Sequence, residues 1–288
     1  MEVGQLHPEQ LKLGRIGFLN VLPIYYPLEN GHIPHCFNIV SGTPAYLNQL
    51  MAKGELDLSV VSSIEYARHP ERYYVLPDLS ISCYGEVKSV LLLSRVPISE
   101  LAGKEILVSA QSHTSIALLK ILFSIHLSVK FSCRTGNCSE ALLKGVPPIA
   151  FLAIGDEALR LSAHELYPYR LDLGEAWQDW TGFPFVFALW VIQRKAIEKW
   201  NGSLKGAVET LLLAKQWGAA NRQKICQEAA KEGLLTGFEL HEYYRCLDFD
   251  LNIDQQSGLR QFYQYLSQIG EISVAPRLEI FSPLACVA

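Results

Sequence analysis

The segment Ser41–Ser63, SGTPAYLNQLMAKGELDLSVVSS, carries the pattern that decides the fold. Thr43 followed by Pro44 predicts a helix start. The hydroxyl can cap free N–H groups, and the proline has the fixed φ that suits the first helical position. Leu47, Leu50 and Met51 then recur on one helical face, and Gly54 ends the helix. Leu56–Val61 follows as a short apolar run, which reads as a buried strand. Upstream, Leu13–Leu19 and Phe37–Val40 are strand-like, and Leu22–Leu28 fits a short helix. This β-α-β-α-β succession predicts a parallel sheet with helices on its faces.

Downstream, Lys88–Ser94 (KSVLLLS) reads as another buried strand, with a turn at Pro97. A second alternating block begins near Glu105. It holds Ile106–Val108, a helix over Ser115–Ile125, an extended run Leu127–Phe131, a helix from Ser139 and the apolar strand Ile149–Ile154. Leu171–Leu173 and a short aromatic helix around Trp177 and Trp180 complete it. Phe185–Ile192 (FVFALWVI) is a strong buried strand, and Ala196–Gly270 then reads as mostly helix. These patterns predict a two-lobed α/β protein whose chain crosses between lobes twice, near Ser94–Pro97 and Val186–Gln193. Lobe one is expected to hold residues 1–94 plus 194–288, and lobe two residues 95–193. A ligand would sit in the cleft, where strand ends and helix N-termini meet.

Composition narrows the class. The chain has 288 residues, 49% of them apolar and 19% charged. That is long enough to bury a core without disulfides or metals, and too apolar for a disordered protein. The net charge of −4, with no block of like charges, gives no basic footprint for nucleic acid. The seven cysteines are odd in number and scattered, which suits thiols in a reducing cytosol. Cys133 and Cys138 have the spacing of half a zinc site, but no second pair follows, so no metal is expected. The start MEVGQLHPEQLKLGRIGF has no apolar run of signal-peptide type, and no stretch of ~18 apolar residues occurs later. The expectation is a cytoplasmic protein that does not span a membrane.

The motifs G-x-S-x-G, H-E-x-x-H, the P-loop and G-x-G-x-x-G are absent. What remains is a set of small polar residues at the ends of apolar runs: Asn20, Ser62 with Ser63, Ser80 with Ser82, Gly85 with Ser89, Thr114 with Ser115, and Gly155 with Asp156. Taken singly, each is also explained as a cap or turn residue. Taken together, hydroxyls and helix N-termini around one cleft suit an anionic ligand such as a carboxylate. His113 stands at a helix start, where an exposed turn residue and an acid–base group are both open readings. Asp156 and Glu157 fit helix-terminal charges better than a catalytic pair. The aromatic cluster of Trp177, Trp180, Phe183, Phe185 and Phe187 reads mainly as core.

Several stretches together strongly resemble the chorismate dehydratases of the futalosine route to menaquinone. They are GRIGFLNVLPIYY, SGTPAYLNQLMAKGELDLSVVSSIEYAR, LPDLSISCYGEVKSVLLLSRVP, TSIALLKIL, IGDEAL and DLGEAWQDWTGFPFVFALW, in order from about Arg15 to Trp190. The resemblance implies a type II periplasmic-binding-protein fold used by a cytoplasmic enzyme. It implies a hydro-lyase that converts chorismate to 3-[(1-carboxyvinyl)oxy]benzoate and water without metal or organic cofactor. Asn20 and Ser89 are implied as the catalytic pair. Ser62, Gly85, Thr114, Ser115 and Gly155 are implied as contacts to the substrate's carboxylates or ring. The expected partner is this small molecule alone, bound by a monomer or homodimer.

No side-chain base is evident at these positions, which points to the substrate's own enolpyruvyl carboxylate as the base. Two departures stand out. Cys83-Tyr84-Gly85-Glu86 replaces the family's usual Ser/Cys-Asp-Gly-Pro, and His113 stands where Ala or a similar residue is common. The competing readings are a carboxylate-binding receptor or sensor of the same fold, the sister dihydroxynaphthoate-forming enzyme, and an effector-binding regulator. The last would need a DNA-binding domain, for which no motif is found.

Overall fold

The computed structural model describes residues 10–200 and 202–282. Cys286 lies outside the described residues. Among the described residues, ten strands form two five-stranded sheets. The first sheet contains β1 (Lys12–Ile16), β2 (Asn38–Gly42), β3 (Leu58–Ser62) and β4 (Tyr73–Cys83). The second contains β5 (Val90–Ser94), β6 (Glu105–Val108), β7 (Ser132–Thr135), β8 (Ala150–Ile154) and β9 (Tyr169–Asp172). The last strand, β10 (Phe185–Gln193), returns to the first sheet.

The spatial orders are β2-β1-β3-β10-β4 and β7-β6-β8-β5-β9. In each sheet three parallel strands are followed by an antiparallel one, inserted before the fourth strand of its block. Each inserted strand directly follows a crossing. The α/β class and the two-block layout expected from the sequence hold.

The pairing differs from expectation at both crossings. Val90–Ser94 was expected in lobe one, yet it pairs with β8 and β9 in the second sheet. Phe185–Gln193 was expected in lobe two, yet it pairs with β3 and β4 in the first. The chain therefore changes sheets at residues 84–89 and 182–184. Both strands are apolar on both faces and need a neighbour on each edge, which only an interior position supplies. Chain order does not reveal that position. Leu127–Phe131 is not a strand; the edge strand is the polar Ser132–Thr135, whose residues are all exposed.

Helices cover both sheets. The first block carries α1 (Leu22–Glu29), α2 (Pro44–Lys53) and α3 (Ser63–Arg68). The Thr43 hydroxyl caps α2 by accepting from Tyr46 N, and Gly54 closes it in the left-handed conformation. The second block carries α4 (His113–Ile121), α5 (Cys138–Leu143), α6 (Gly155–Leu161) and α7 (Leu173–Thr181). The chain then runs through α8 (Arg194–Trp200), α9 (Ser203–Ala220), α10 (Arg222–Ala229), α11 (Gly237–Cys246) and α12 (Ile253–Gln268).

This C-terminal tail packs on the first sheet. Bridges pair Ser82 with Asp248 and Val75 with Ile280 along the β4 edge. Trp190 and Tyr25 are fully buried between β10 and α1; the indole N–H donates to the Tyr25 hydroxyl, which in turn donates to Gly14 O. Gly218 lets α9 press against α1, because a Cβ there would stand 1.9 Å from Pro23 O. Gly218→Ala is therefore expected to cost about 1–3 kcal/mol as the helices part. A lower urea midpoint at unchanged slope is the measurement that checks it.

Candidate active site

A cleft enclosing about 700 Å³ of empty space, part of it open to solvent, lies between the two sheets. Ile16, Phe18, Val60, Ile81, Ile154 and Phe187 give it apolar walls. Asn20, Ser62, Ser89, Thr114, Ser115 and Gly155 all line it. Gly85 does not: it lies in the first crossing at φ 98°, a backbone conformation suited to glycine, outside the lining.

Asn20 sits in the short 3₁₀ turn Leu19–Val21 between β1 and α1. The Tyr244 hydroxyl donates to Leu19 O at 3.0 Å, and an Asp156 carboxylate oxygen accepts from Leu19 N at 3.1 Å. The Oδ1 atom of Asn20 is buried without a hydrogen-bond partner. Ser62 repeats this feature. It precedes α3 at the capping position, yet its hydroxyl does not cap, and Oγ is buried without a partner. A buried polar atom left unpaired costs about 1–3 kcal/mol. Both residues line the same cavity.

Ser89 is presented by a strained turn. Lys88 has φ 61°, uncommon for a residue with a side chain. The Asp172 carboxylate holds this turn by accepting from Val87 N and Lys88 N, the latter at 2.7 Å. The same carboxylate caps α7 through Gly174 N and Glu175 N. Burial pushes the Asp172 pKa up against the pull of these N–H groups. Asp172 was not singled out in the sequence. Its signal was there in the Asp-x-x-Glu spacing of a helix start. The Ser89 carbonyl accepts from Gly155 N at 2.7 Å. Beside Ser89 lies Tyr243 of α11, 1% exposed, whose hydroxyl has no partner of good geometry.

Thr114 and Ser115 belong to the first turn of α4, which has no side-chain cap. The first N–H groups of that helix thus lack intrahelical acceptors at the cavity wall. The Thr114 hydroxyl is engaged across the cleft, accepting from Ile64 N at 3.2 Å. His113 and Gln111 line the same wall and are exposed.

Other candidates are structural. Ser63 Oγ donates to Val186 O, and Ser80 and Ser82 donate to Asp250 O and Asp248 O, clipping the tail to β4. Asp156 and Glu157 form no pair, since Glu157 accepts from Ser139 instead. Trp177 is buried, its indole donating to Pro184 O.

Behind the cleft, Glu271 joins the two sides, at 2.6 Å from Lys120 of α4 and 3.0 Å from Arg68 of α3. Burial raises its pKa, but the two cations outweigh that and hold the carboxyl below its ordinary 4.5. A depressed folded pKa means stabilisation present above about pH 4.5 and lost as pH falls through the folded value. Urea midpoints of the native chain and Glu271→Gln are expected to converge below that pH and to separate above it.

The Menaquinone biosynthesis family model matches residues 11–268. The chain belongs to the menaquinone-biosynthesis family. The match covers both sheets and nearly the whole C-terminal helical tail. A chorismate dehydratase of Thermus thermophilus is 29% identical over 270 residues, covering 88% of this chain and 94% of that protein. A chorismate dehydratase of Campylobacter jejuni is 30% identical over 192 residues, covering 65% and 70%. The family resemblance read from the sequence therefore holds.

Solved structures agree on the fold. The periplasmic aliphatic sulphonate binding protein of Escherichia coli matches with TM-score 0.65 at 16% identity, over 96% of this chain and 93% of that one. The alkanesulfonate-binding protein of Xanthomonas axonopodis matches with TM-score 0.67 at 13% identity, over 96% and 98%. The periplasmic-binding-protein-like fold expected for this family member is thus observed. No described helix is long and apolar enough to cross a membrane.

Proposed function

We propose that this chain is a hydro-lyase that converts chorismate to 3-[(1-carboxyvinyl)oxy]benzoate and water in the futalosine route to menaquinone. The observation that carries the reading is the meeting of Asn20 and Ser89 on one apolar cavity, in a chain whose curated relatives are chorismate dehydratases.

Chorismate is a dianion. The uncapped first turn of α4, with Ser115, offers N–H and hydroxyl donors to one carboxylate, and the free Ser62 hydroxyl offers a donor beside it. Asn20 orients the C4 hydroxyl that leaves, and Ser89 hydrogen-bonds the substrate from the opposite wall. The enolpyruvyl carboxylate of the substrate takes the C3 proton. The C3–H electron pair becomes ring π density as the C4–O bond breaks, and the proton held on the enolpyruvyl carboxyl passes to the departing hydroxide, which leaves as water while the carboxylate is restored. Aromatisation drives the step. The apolar walls exclude bulk water and strengthen each polar contact, and holding the carboxylate over C3 supplies much of the acceleration.

In the same reading, the chain forms two lobes that divide at residues 84–89 and 182–184 and close over the substrate. The six described cysteines are free thiols, which supports a reducing compartment, the cytoplasm.

The test mixes purified protein with chorismate and follows the ultraviolet spectrum. An aromatic product is expected. Bound but unchanged chorismate would overturn the hydro-lyase in favour of a carboxylate-binding protein. A chorismate analogue lacking the enolpyruvyl carboxylate should bind and not react; its turnover would remove the substrate from the role of base.

A further inference from the structure

Leu19, the residue before Asn20, is held from both sides of the cleft. Its carbonyl accepts from Tyr244, a residue of the tail that packs on the first sheet. Its N–H donates to Asp156, the second residue of α6, which follows β8 of the second sheet. Asp156 is part-buried, and Leu19 N is the one hydrogen-bond partner of its carboxylate among the described residues. The residue next to it, Gly155, bonds the Ser89 carbonyl. The pair Gly155–Asp156 therefore touches the backbone on which Ser89 stands and the backbone that presents Asn20.

We infer that Asp156 is a positioning residue that sets the orientation of Asn20 when the two sheets come together over the substrate. Tyr244 anchors the Leu19–Asn20 peptide from its own side. The Asp156 link crosses the cleft and exists only while the two sides are in contact. Closing the cleft therefore completes the clamp on this peptide and turns the Asn20 amide toward the cavity; opening it releases one of the two restraints. Asn20 is thereby competent when substrate is enclosed and loosely held when it is not. The inference rests on the hydro-lyase reading for its kinetic consequence, but not for the hydrogen bond itself.

Three variants separate the geometry from the charge. Asp156→Asn keeps an acceptor oxygen at the same reach. Asp156→Glu keeps the charge at the start of α6 but displaces the acceptor. Asp156→Ala removes both. Hydrogen exchange at the Leu19 amide reads the link directly, without reference to any reaction. Exchange is expected to quicken at least ~10-fold in the Ala and Glu variants and to stay near native in Asn. Chorismate kcat is expected to fall by about 10- to 100-fold in Ala and Glu, and by less than ~3-fold in Asn, since small misplacements of a reacting group carry such penalties. KM is expected to move little in all three.

Loss of turnover in Asn with retention in Glu would show that charge matters and overturn the inference. So would native exchange at Leu19 in the Ala variant. If the native chain leaves chorismate intact, the hydro-lyase reading fails, and the exchange pattern alone still decides whether Asp156 holds the Asn20 turn.

Discussion

Asn20→Ala is expected to cut aromatic-product formation from chorismate by about 10²- to 10³-fold, the usual loss when one preorganised polar group is removed from a reacting centre. The substitution should not weaken the fold. Asn20 Oδ1 is buried without a partner, so the native chain already bears the desolvation of that oxygen. Removing the amide relieves this penalty, and the urea midpoint should stay level or rise. A residue whose loss abolishes turnover while leaving stability intact is held in place for its ligand. An Asn20→Ala protein that unfolds at markedly lower urea would instead mark the side chain as a structural element of the β1–α1 turn.

The second large effect is expected at Gly155. Its φ of 56° lies in the left-handed region, where a residue with a Cβ loses about 1–2 kcal/mol. A Cβ there would also stand 2.9 Å from the Phe18 ring, which forms the cavity wall beside Asn20. Gly155→Ala must therefore displace Phe18 or pull α6 back, and either movement separates the two sides of the cavity. Stability is expected to fall by about 1–3 kcal/mol. Turnover should fall as well, by at least ~10-fold, because the Gly155 N–H to Ser89 carbonyl contact and the neighbouring Asp156 link are drawn along. Denaturant titration and chorismate kinetics on the same preparation separate the two components.

Much of this arrangement was legible in the sequence because its signals are local. The Thr43–Pro44 start, the Gly54 stop and the apolar run into β3 each report chemistry within a few residues. Asn20, Ser62, Ser89, Thr114, Ser115 and Gly155 stand out because strand ends are short, apolar and followed by polar residues, and all six reach one cavity. The misplacement of β5 and β10 has the opposite cause. Their apolar faces state that they are interior strands, but not between which partners, and the partners lie far away in the chain. Gly85 was marked by the same strand-end pattern, and it stands in the first crossing at φ 98°, outside the cavity's lining. Asp172 was visible only as a helix cap; its second set of bonds, to Val87 and Lys88, depends on tertiary contact. Tyr243 and Tyr244 sit on helical positions that read as ordinary core, and nothing within the helix marks where their hydroxyls end.

The insertion of β10 between β3 and β4 has a consequence for how the chain is made. A ribosome releases β1 to β4 long before Phe185–Gln193 emerges, so the first sheet waits with the place between β3 and β4 empty while the whole second block is synthesised. The second block can close its own sheet in that interval, since β5 precedes its partners β8 and β9. The half that begins first thus finishes last. In the meantime β3 and β4 present unpaired apolar edges, the kind of surface on which nascent chains aggregate. Such long-range pairing also slows folding. Chains stopped before residue 185 are expected to collect in the insoluble fraction, while chains that run through the C-terminal helices escape it.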